Sequence, residues 1–213
     1  MSRIPLPSLK RLPRYLNVLE SFQSYGTDTI SATDIAEELD LKPIQIRKDM
    51  AFTGIVGKPK VGYDVGALIK AIRDFIGWND ISPAVLIGAG SLGTALMRYE
   101  GFAKRNLNIV AAFDKDQNRN SDGRSSTPVY PMERLPAIVA EHEIEIAILT
   151  VPPAAAQEVT DQLVKLGIRA IWNFSSAEIQ VPPHVVVRRE DLSEGLAVLC
   201  VQLHELDETR EKK

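Results

Sequence analysis

At 213 residues and 45% hydrophobic, the chain is long enough for one large or two ordinary domains with a substantial core. No apolar run reaches the ~18 residues of a membrane span, the proline-bearing N-terminus lacks the h-region of a secretory signal, and the single cysteine, Cys200, permits no internal disulfide; a cytoplasmic globular protein is expected. The net charge of −3 would disfavour a polyanionic partner if it were spread evenly, but the stretch from Lys42 to Gly62 holds five basic residues and one acid, Asp49, and residues 1 to 15 add Arg3, Lys10, Arg11 and Arg14 with no acid.

Leu9, Leu12, Leu16, Leu19 and Phe22 recur at intervals of three and four and predict an amphipathic first helix ending near Tyr25-Gly26. Ser31, three residues before Asp34, makes a capping arrangement for a short second helix whose apolar face is Ile35, Ala36 and Leu39. After a turn at Leu41, Pro43 suits the first position of a third helix over 43–53, with Ile46 and Met50 inward and Ile44, Gln45, Arg47, Lys48 and Ala51 toward the outside. Two short helices joined by a tight turn, the second basic, form a helix-turn-helix layout. The stretch Gly57 to Val65, with Lys58 and Lys60 between glycines and β-forming Val61, Tyr63 and Val65, reads as a wing. Gln45 and Lys48 are the candidates for base edges and Ile44 sits beside them; Arg11, Arg47, Lys58 and Lys60 suit phosphates. Tyr63 suits either a phosphate or packing. Packing or dimerisation of a helical hairpin is the competing reading of this whole region.

A linking helix through Ile69, Ile72, Phe75 and Ile76 leads to a boundary near residue 80. The run Ala84 to Ile87 then delivers Gly88, Ala89, Gly90, Ser91, Leu92 and Gly93 to the start of a helix, the spacing of a dinucleotide loop. A second apolar run, Ile109 to Phe113, ends at Asp114, 26 positions after Gly88; an acid there suits a ribose 2′-hydroxyl and prefers NAD(H) to NADP(H), with Lys115 adjacent. A polar loop, Gln117 to Thr127, precedes a helix over 132–141. The run Ile146 to Val151 stops at Pro152-Pro153, which places Thr150, Val151 and Pro152 beyond a strand end and toward the cofactor. Helix 154–166, strand 169–172 and the turn Asn173-Phe174-Ser175 repeat the unit and put Asn173 and Phe174 near the nicotinamide end. A strand at 185–187 leads to Asp191 and a terminal helix apolar around most of its surface, through Leu192, Leu196, Val198, Leu199, Val201 and Leu203, which calls for a second subunit as cover.

The expected architecture is therefore α/β: a winged helix-turn-helix domain over 1–80, a Rossmann-like NAD(H)-binding domain over 81–190 and a C-terminal dimerisation helix over 191–213. This order, with Lys10-Arg11-Leu12-Pro13, Gln45-Ile46-Arg47-Lys48-Asp49, Gly62-Tyr63, the glycine loop, Tyr99-x-Gly101-Phe102, Phe113-Asp114, Leu149 to Pro152, Asn173-Phe174 and Asp191-Leu192, resembles the redox-sensing transcriptional repressor family Rex. The resemblance implies a repressor that is not an enzyme, a homodimer with the terminal helix swapped between subunits, and operator DNA with an inverted repeat. It further implies that NADH, as against NAD+, closes the dimer and releases the DNA, and that Tyr99 and Asp191, the latter given across the dimer, pair at the nicotinamide. Asp191 also suits an N-cap of the terminal helix. One departure is Asn17, at a first-helix position where several family members carry an arginine that pairs with that aspartate; Arg14 is a candidate substitute.

Two other functions compete. A dehydrogenase would need a general base, yet His142, His184 and His204 are scattered without an evident acid or orienting partner. A CoA- or nucleotide-binding enzyme subunit would share the glycine loop, and Asp114 argues against it. Cys200 and His204 could share a helix face, but two ligands do not make a metal site, so no metal is expected.

Overall fold

The computed structural model describes residues 4–116 and 126–211, so Arg3 and most of the polar loop expected over 117–127 lie outside the described residues. The chain divides into two compact units, Met1–Asp80 and Ile81–Lys213.

The first unit is helical. Helix α1 (Leu6–Ser24) buries Leu12, Tyr15, Leu16 and Leu19, the stripe its three-four spacing dictates. A two-residue strand, β1 (Thr29–Ile30), precedes α2 (Ala32–Leu39), whose start is fixed by reciprocal capping: Ser31 Oγ accepts from the Thr33 and Asp34 N–H groups at 3.1 Å, and the Asp34 carboxylate accepts from the Ser31 N–H at 2.8 Å. Asp40 adopts a left-handed conformation (φ 52°) that ends α2, and α3 (Pro43–Phe52) begins with proline at its first position. Ile46 and Met50 are fully buried while Ile44, Arg47 and Lys48 are exposed, the inside-outside division expected of a recognition helix.

The wing is shorter than its sequence suggests. Lys58 and Gly62 form a single antiparallel bridge that closes a tight turn; β2 (Tyr63–Asp64) then pairs with β1 rather than with a wing partner. Gly62, at φ 98°, lies so close to β1 that a Cβ there would fall 2.3 Å from the Ile30 carbonyl oxygen. Val65 does not extend the strand but opens α4 (Val65–Ile76), where the Asp64 carboxylate caps the Ala67 N–H at 2.7 Å.

The second unit is a parallel six-stranded sheet, β3 (Ser82–Ile87), β4 (Leu107–Phe113), β5 (Val129–Tyr130), β6 (Ile146–Leu149), β7 (Ala170–Asn173) and β8 (Val186–Arg189), in the order β5-β4-β3-β6-β7-β8. The order reverses between β3 and β6, so a crevice opens beyond the carboxyl ends of those strands. The central strands are near-continuous apolar runs because both faces are covered. One face packs beneath α7 (Leu135–Glu141) and α8 (Pro153–Lys165), and a 3₁₀ turn over Met132–Arg134 takes the beginning of the helix expected at 132. The other face is covered by α5 (Ser91–Met97), α6 (Glu100–Ala103) and aromatic side chains. The last element, α9 (Leu192–Glu211), leaves Leu196, Val198, Leu199, Val201, Leu203 and Leu206 between 57% and 62% exposed.

Candidate functional site

In the second unit, β3 ends at Gly88 (φ 102°), where a Cβ would lie 2.8 Å from the Thr150 carbonyl group. The Thr150 hydroxyl donates to the carbonyl oxygens of Gly88 (2.7 Å) and Ile87 (3.1 Å), tying the end of β6 to the turn leaving β3. Gly93 is more constrained still: a Cβ would sit 2.0 Å from the Gly88 carbonyl oxygen, so only glycine lets α5 pack against the strand. No side chain caps the N-terminus of α5, and uncapped first-turn N–H groups are donors suited to an anion.

Asp114 closes the geometry from β4. Its Oδ2 accepts from the Ala89 N–H at 2.8 Å and its Oδ1 from the Asp116 N–H at 2.9 Å. Around these groups lies a cleft of about 700 Å³, lined by Gly88, Gly90, Asp114, Lys115, Thr150, Val151 and Pro152 among the expected residues, and by Met132 and Glu158, which sequence spacing did not indicate. The size is that of a nucleotide site, and the acid beside a glycine cradle suits an unphosphorylated ribose.

The other expected cofactor residues are arranged differently. Ala89, Ser91, Leu92 and Gly93 do not line the cleft: Ala89 and Gly93 are buried, and Ser91 and Leu92 are exposed in the first turn of α5. Asn173, expected near the nicotinamide end, closes β7 and is 1% exposed, with its Oδ1 accepting from the Ser175 N–H (2.9 Å) and hydroxyl (2.7 Å) and its Nδ2 donating to the Ala177 carbonyl (2.9 Å). Its amide is committed to the turn because burial would leave it unpaired otherwise. Phe174 stacks on Trp172 (5.1 Å), Trp172 on Phe102 (5.5 Å), and Phe102 meets Tyr99 edge-on (5.0 Å). Gly101 makes room for this, since a Cβ there would fall 2.3 Å from the Tyr99 ring. Tyr99 itself remains 59% exposed.

Asp191 caps α9: its Oδ1 accepts from the Ser193 N–H (2.9 Å) and hydroxyl (2.6 Å), and its Oδ2 pairs with Arg189 at 3.0 Å. The Ser193 hydrogen bonds, with the charge of Arg189, hold the carboxyl below the usual aspartate range. Within one chain these contacts keep Asp191 in the N-cap role, and Tyr99 packs on Phe102.

In the first unit, α3 presents Ile44, Arg47 and Lys48 to solvent, with Gln45 half-buried, and Lys58 and Lys60 are exposed on the tight turn. Arg11, expected at a phosphate, and Tyr63, for which a phosphate or packing was expected, both turn inward. Arg11 donates from Nε to Asp49 Oδ2 (2.7 Å) and from Nη2 to Asp49 Oδ1 (2.9 Å), and its side chain is only 16% exposed. Tyr63 is 8% exposed and packs in the core; burial pushes its phenol up, against a smaller opposing effect of Arg47.

Asp49 is the group sequence reasoning missed. It is 1% exposed, and the Tyr15 hydroxyl also donates to it at 2.6 Å. Burial alone would raise its pKa, but hydrogen bonds from Arg11, Tyr15 and Ser8, with the Arg11 charge, outweigh burial and hold it below the usual range. Burial, and then the Asp49 hydrogen bond, push the Tyr15 phenol far above its ordinary value. The available signal was a lone acid inside a basic helix.

Among the described residues no helix is long and apolar enough to cross a membrane, and no three potential ligands gather into a metal site.

Two family models match: "Putative DNA-binding protein N-terminus" over residues 3–51 and "CoA binding domain" over 79–177. A protein from Treponema denticola named redox-sensing transcriptional repressor Rex is 51% identical over 93% of this chain and 94% of its own. One of the same name from Pelotomaculum thermopropionicum is 41% identical over 94% of each. Among solved structures, RSP in complex with β-NADH superposes with a TM-score of 0.87 at 29% identity, covering all of both chains. RSP, a Rex-family repressor, in complex with β-NAD+ and operator DNA gives 0.85 at 30% identity, covering 99% of this chain and 97% of that one.

Proposed function

The chain belongs to the Rex family of redox-sensing transcriptional repressors, and from that membership we propose that it represses transcription as a homodimer that holds operator DNA and lets it go when NADH binds. The observation that carries the reading is the presence, on one chain, of a basic recognition helix and a glycine cleft closed by Asp114. The same 99–100% span of this chain matches a repressor solved with NADH and one solved with NAD+ and operator DNA.

The residues divide the work as follows. Gly88, Gly90 and the N-terminus of α5 take the pyrophosphate, and Asp114 with Lys115 takes the adenosine ribose. Thr150, Val151 and Pro152 wall the cleft. NADH and NAD+ differ at the nicotinamide by one unit of charge, which is what a sensor must read. Tyr99, exposed at the end of the aromatic stack, and Asp191, kept charged by its hydrogen bonds, form the pair that reads it, Asp191 coming from the second copy. Lys48, Gln45 and Ile44 meet base edges, and Arg47, Lys58 and Lys60 meet phosphates. Arg11 positions the recognition helix through Asp49. A homodimer covers the apolar surface of α9 and places two recognition helices on an inverted repeat.

The cleft contains Asp114, Lys115 and Glu158 but no histidine or cysteine among its described lining residues. The repressor names of the relatives support a regulator over a dehydrogenase. The coupling is a linkage between two sites: if NADH favours one dimer arrangement and operator the other, each weakens the other by the same factor, typically about 1–3 kcal/mol. Fluorescence anisotropy of a labelled inverted-repeat operator at fixed salt, titrated with NADH and then NAD+, tests it. Release by NADH at concentrations where NAD+ leaves the complex intact is expected. DNA binding indifferent to both would remove the sensor, and NADH binding without DNA binding would restore the enzyme reading.

A further inference from the structure

The ion pair behind α3 also reaches the residue that reads bases. With its amide set so that the oxygen faces the guanidinium, Gln45 accepts from Arg11 Nη1 at 3.0 Å and Nη2 at 3.3 Å. The opposite setting would point the Gln45 NH2 group at a guanidinium, which has donors and no acceptor. Arg11 cannot turn away to suit it, because Asp49 grips two of its nitrogens and Ser8 accepts from Nη2 at 3.1 Å.

The Gln45 oxygen is thus engaged on the protein side, and the NH2 group is the end turned away from Arg11. Its neighbours on the exposed side of α3 add no acceptor. Lys48, one turn on, and Arg47 carry donors alone, Ile44 is apolar and 54% exposed, and Asp49, the helix's single acid, is buried. A glutamine with both ends available pairs with adenine through N6 and N7; one with only donors available can still donate to adenine N7 but loses the N6 bond and meets N6–H₂ as a second donor, and at cytosine it meets only the N4–H₂ donor. Guanine offers N7 and O6, and thymine offers O4 and a methyl group that an exposed isoleucine suits.

We propose that Arg11, anchored by Asp49, fixes the Gln45 amide with its donors outward, so that Gln45 selects guanine or thymine over adenine and cytosine on the strand it reads. Arg11 and Asp49 are positioning residues in this scheme, acting on base choice through Gln45. The inference rests on the reading of α3 as the recognition helix.

The test uses the full chain. Duplexes selected from a library randomised across an inverted repeat are varied to all four base pairs at each half-site position, and affinities are measured at fixed salt. The wild type is expected to show one position where guanine or thymine is preferred over adenine by about tenfold. Gln45→Ala should bring that ratio close to one and leave the other positions unchanged. Gln45→Glu, which keeps an acceptor for Arg11 and turns an oxygen outward in place of the NH2 group, should turn the preference toward cytosine or adenine. The paired substitution Arg11→Met with Asp49→Asn removes both charges, frees the amide to turn over, and should raise adenine at that same position by about tenfold relative to guanine or thymine. Uniform weakening on every duplex, with base preference intact in the paired variant and in Gln45→Glu, would overturn the proposal while leaving the recognition helix in place. Wild-type chain that selects no duplex would overturn the recognition helix itself and the proposal with it.

Discussion

Replacing Gly93 with alanine pits two effects of known sign against each other. In an unobstructed helix the change gains about 1 kcal/mol from propensity. Here the new Cβ would lie 2.0 Å from the Gly88 carbonyl oxygen and 3.0 Å from both Leu86 Cδ2 and Thr150 Oγ1. Leu86 can adjust, but the carbonyl belongs to a turn held by the Thr150 hydroxyl at 2.7 Å and by the Gly88 N–H donating to Phe113 at 2.7 Å. Overpacking of this kind costs about 1–3 kcal/mol, and a lost hydrogen bond adds about 1 kcal/mol. The clash therefore wins, with a net loss of roughly 1–3 kcal/mol and a fall of roughly 3–12 °C in the midpoint of the second unit. Thermal unfolding followed through Trp172 measures it, and NADH titration should show at least a tenfold loss because the displaced turn carries the phosphate donors. Gly66→Ala in α4 is the control. Its nearest neighbours would be Asp64 Oδ1 at 3.6 Å and Gln23 Nε2 at 3.8 Å, ordinary contacts, so it should stabilise the first unit by about 0.5–1 kcal/mol. A Gly93→Ala protein with unchanged midpoint and unchanged NADH affinity would refute the close approach of α5 to β3.

Asp114→Ala should weaken NADH by about 1.5–3 kcal/mol, roughly 10- to 150-fold, and narrow its advantage over NADPH, as read by calorimetry; equal loss for both would detach Asp114 from the ribose. Leu199→Asp, on the exposed apolar surface of α9, should convert the proposed dimer to monomer in light scattering while leaving the helix content unchanged. Asp49 is held below the usual aspartate value, so its contribution to the first unit is present above about pH 4 and is lost as pH falls through the lower folded value. Asp49→Asn should accordingly flatten the acid limb of a urea-midpoint profile followed through Trp78, at a cost at neutral pH of about 3 kcal/mol, less whatever solvent screening of the part-exposed Arg11 recovers. Lys58→Ala should weaken all DNA sequences alike and lower the salt slope by about one, whereas Lys48→Ala should also relax base preference.

What the sequence made legible was local. The glycine spacing, the Ser31-Asp34 capping box and Pro43 at a helix start each act within a few residues, and each takes its expected form. The apolar α9 was legible too, because a helix hydrophobic on most of its surface states its need for cover without naming what covers it. Contacts between distant residues left no such trace. Arg11 and Tyr15 meet Asp49 across 38 and 34 positions, and nothing in a basic cluster says which cation is spent internally. The two-residue pairing of β1 with β2 is too short for any periodicity, and it redirected a strand expected to complete the wing. The bonds of the Asn173 amide follow a local rule that the spacing of the strands does not display, since Asn-Phe-Ser is itself a turn signal: the Asn173 side chain accepts from the N–H two residues on.

The same logic explains how one carboxylate can both build a site and select its ligand. Asp114 stands at the end of β4, and two backbone donors from different segments, Ala89 of the glycine turn and Asp116 of the following loop, fix its orientation. A ribose hydroxyl finding the acid in place loses little free energy to ordering it, which is the advantage of a preorganised group. A 2′-phosphate meets a different situation. Rotating the carboxylate away from it would release the Ala89 N–H and loosen the turn proposed for the pyrophosphate, so discrimination against the phosphorylated dinucleotide would arise from rigidity as well as from charge. That distinction has a consequence for Asp114→Asn, which keeps an acceptor for Ala89 but removes the charge. If rigidity carries part of the selectivity, the amide variant should retain a measurable preference for NADH that the alanine variant loses.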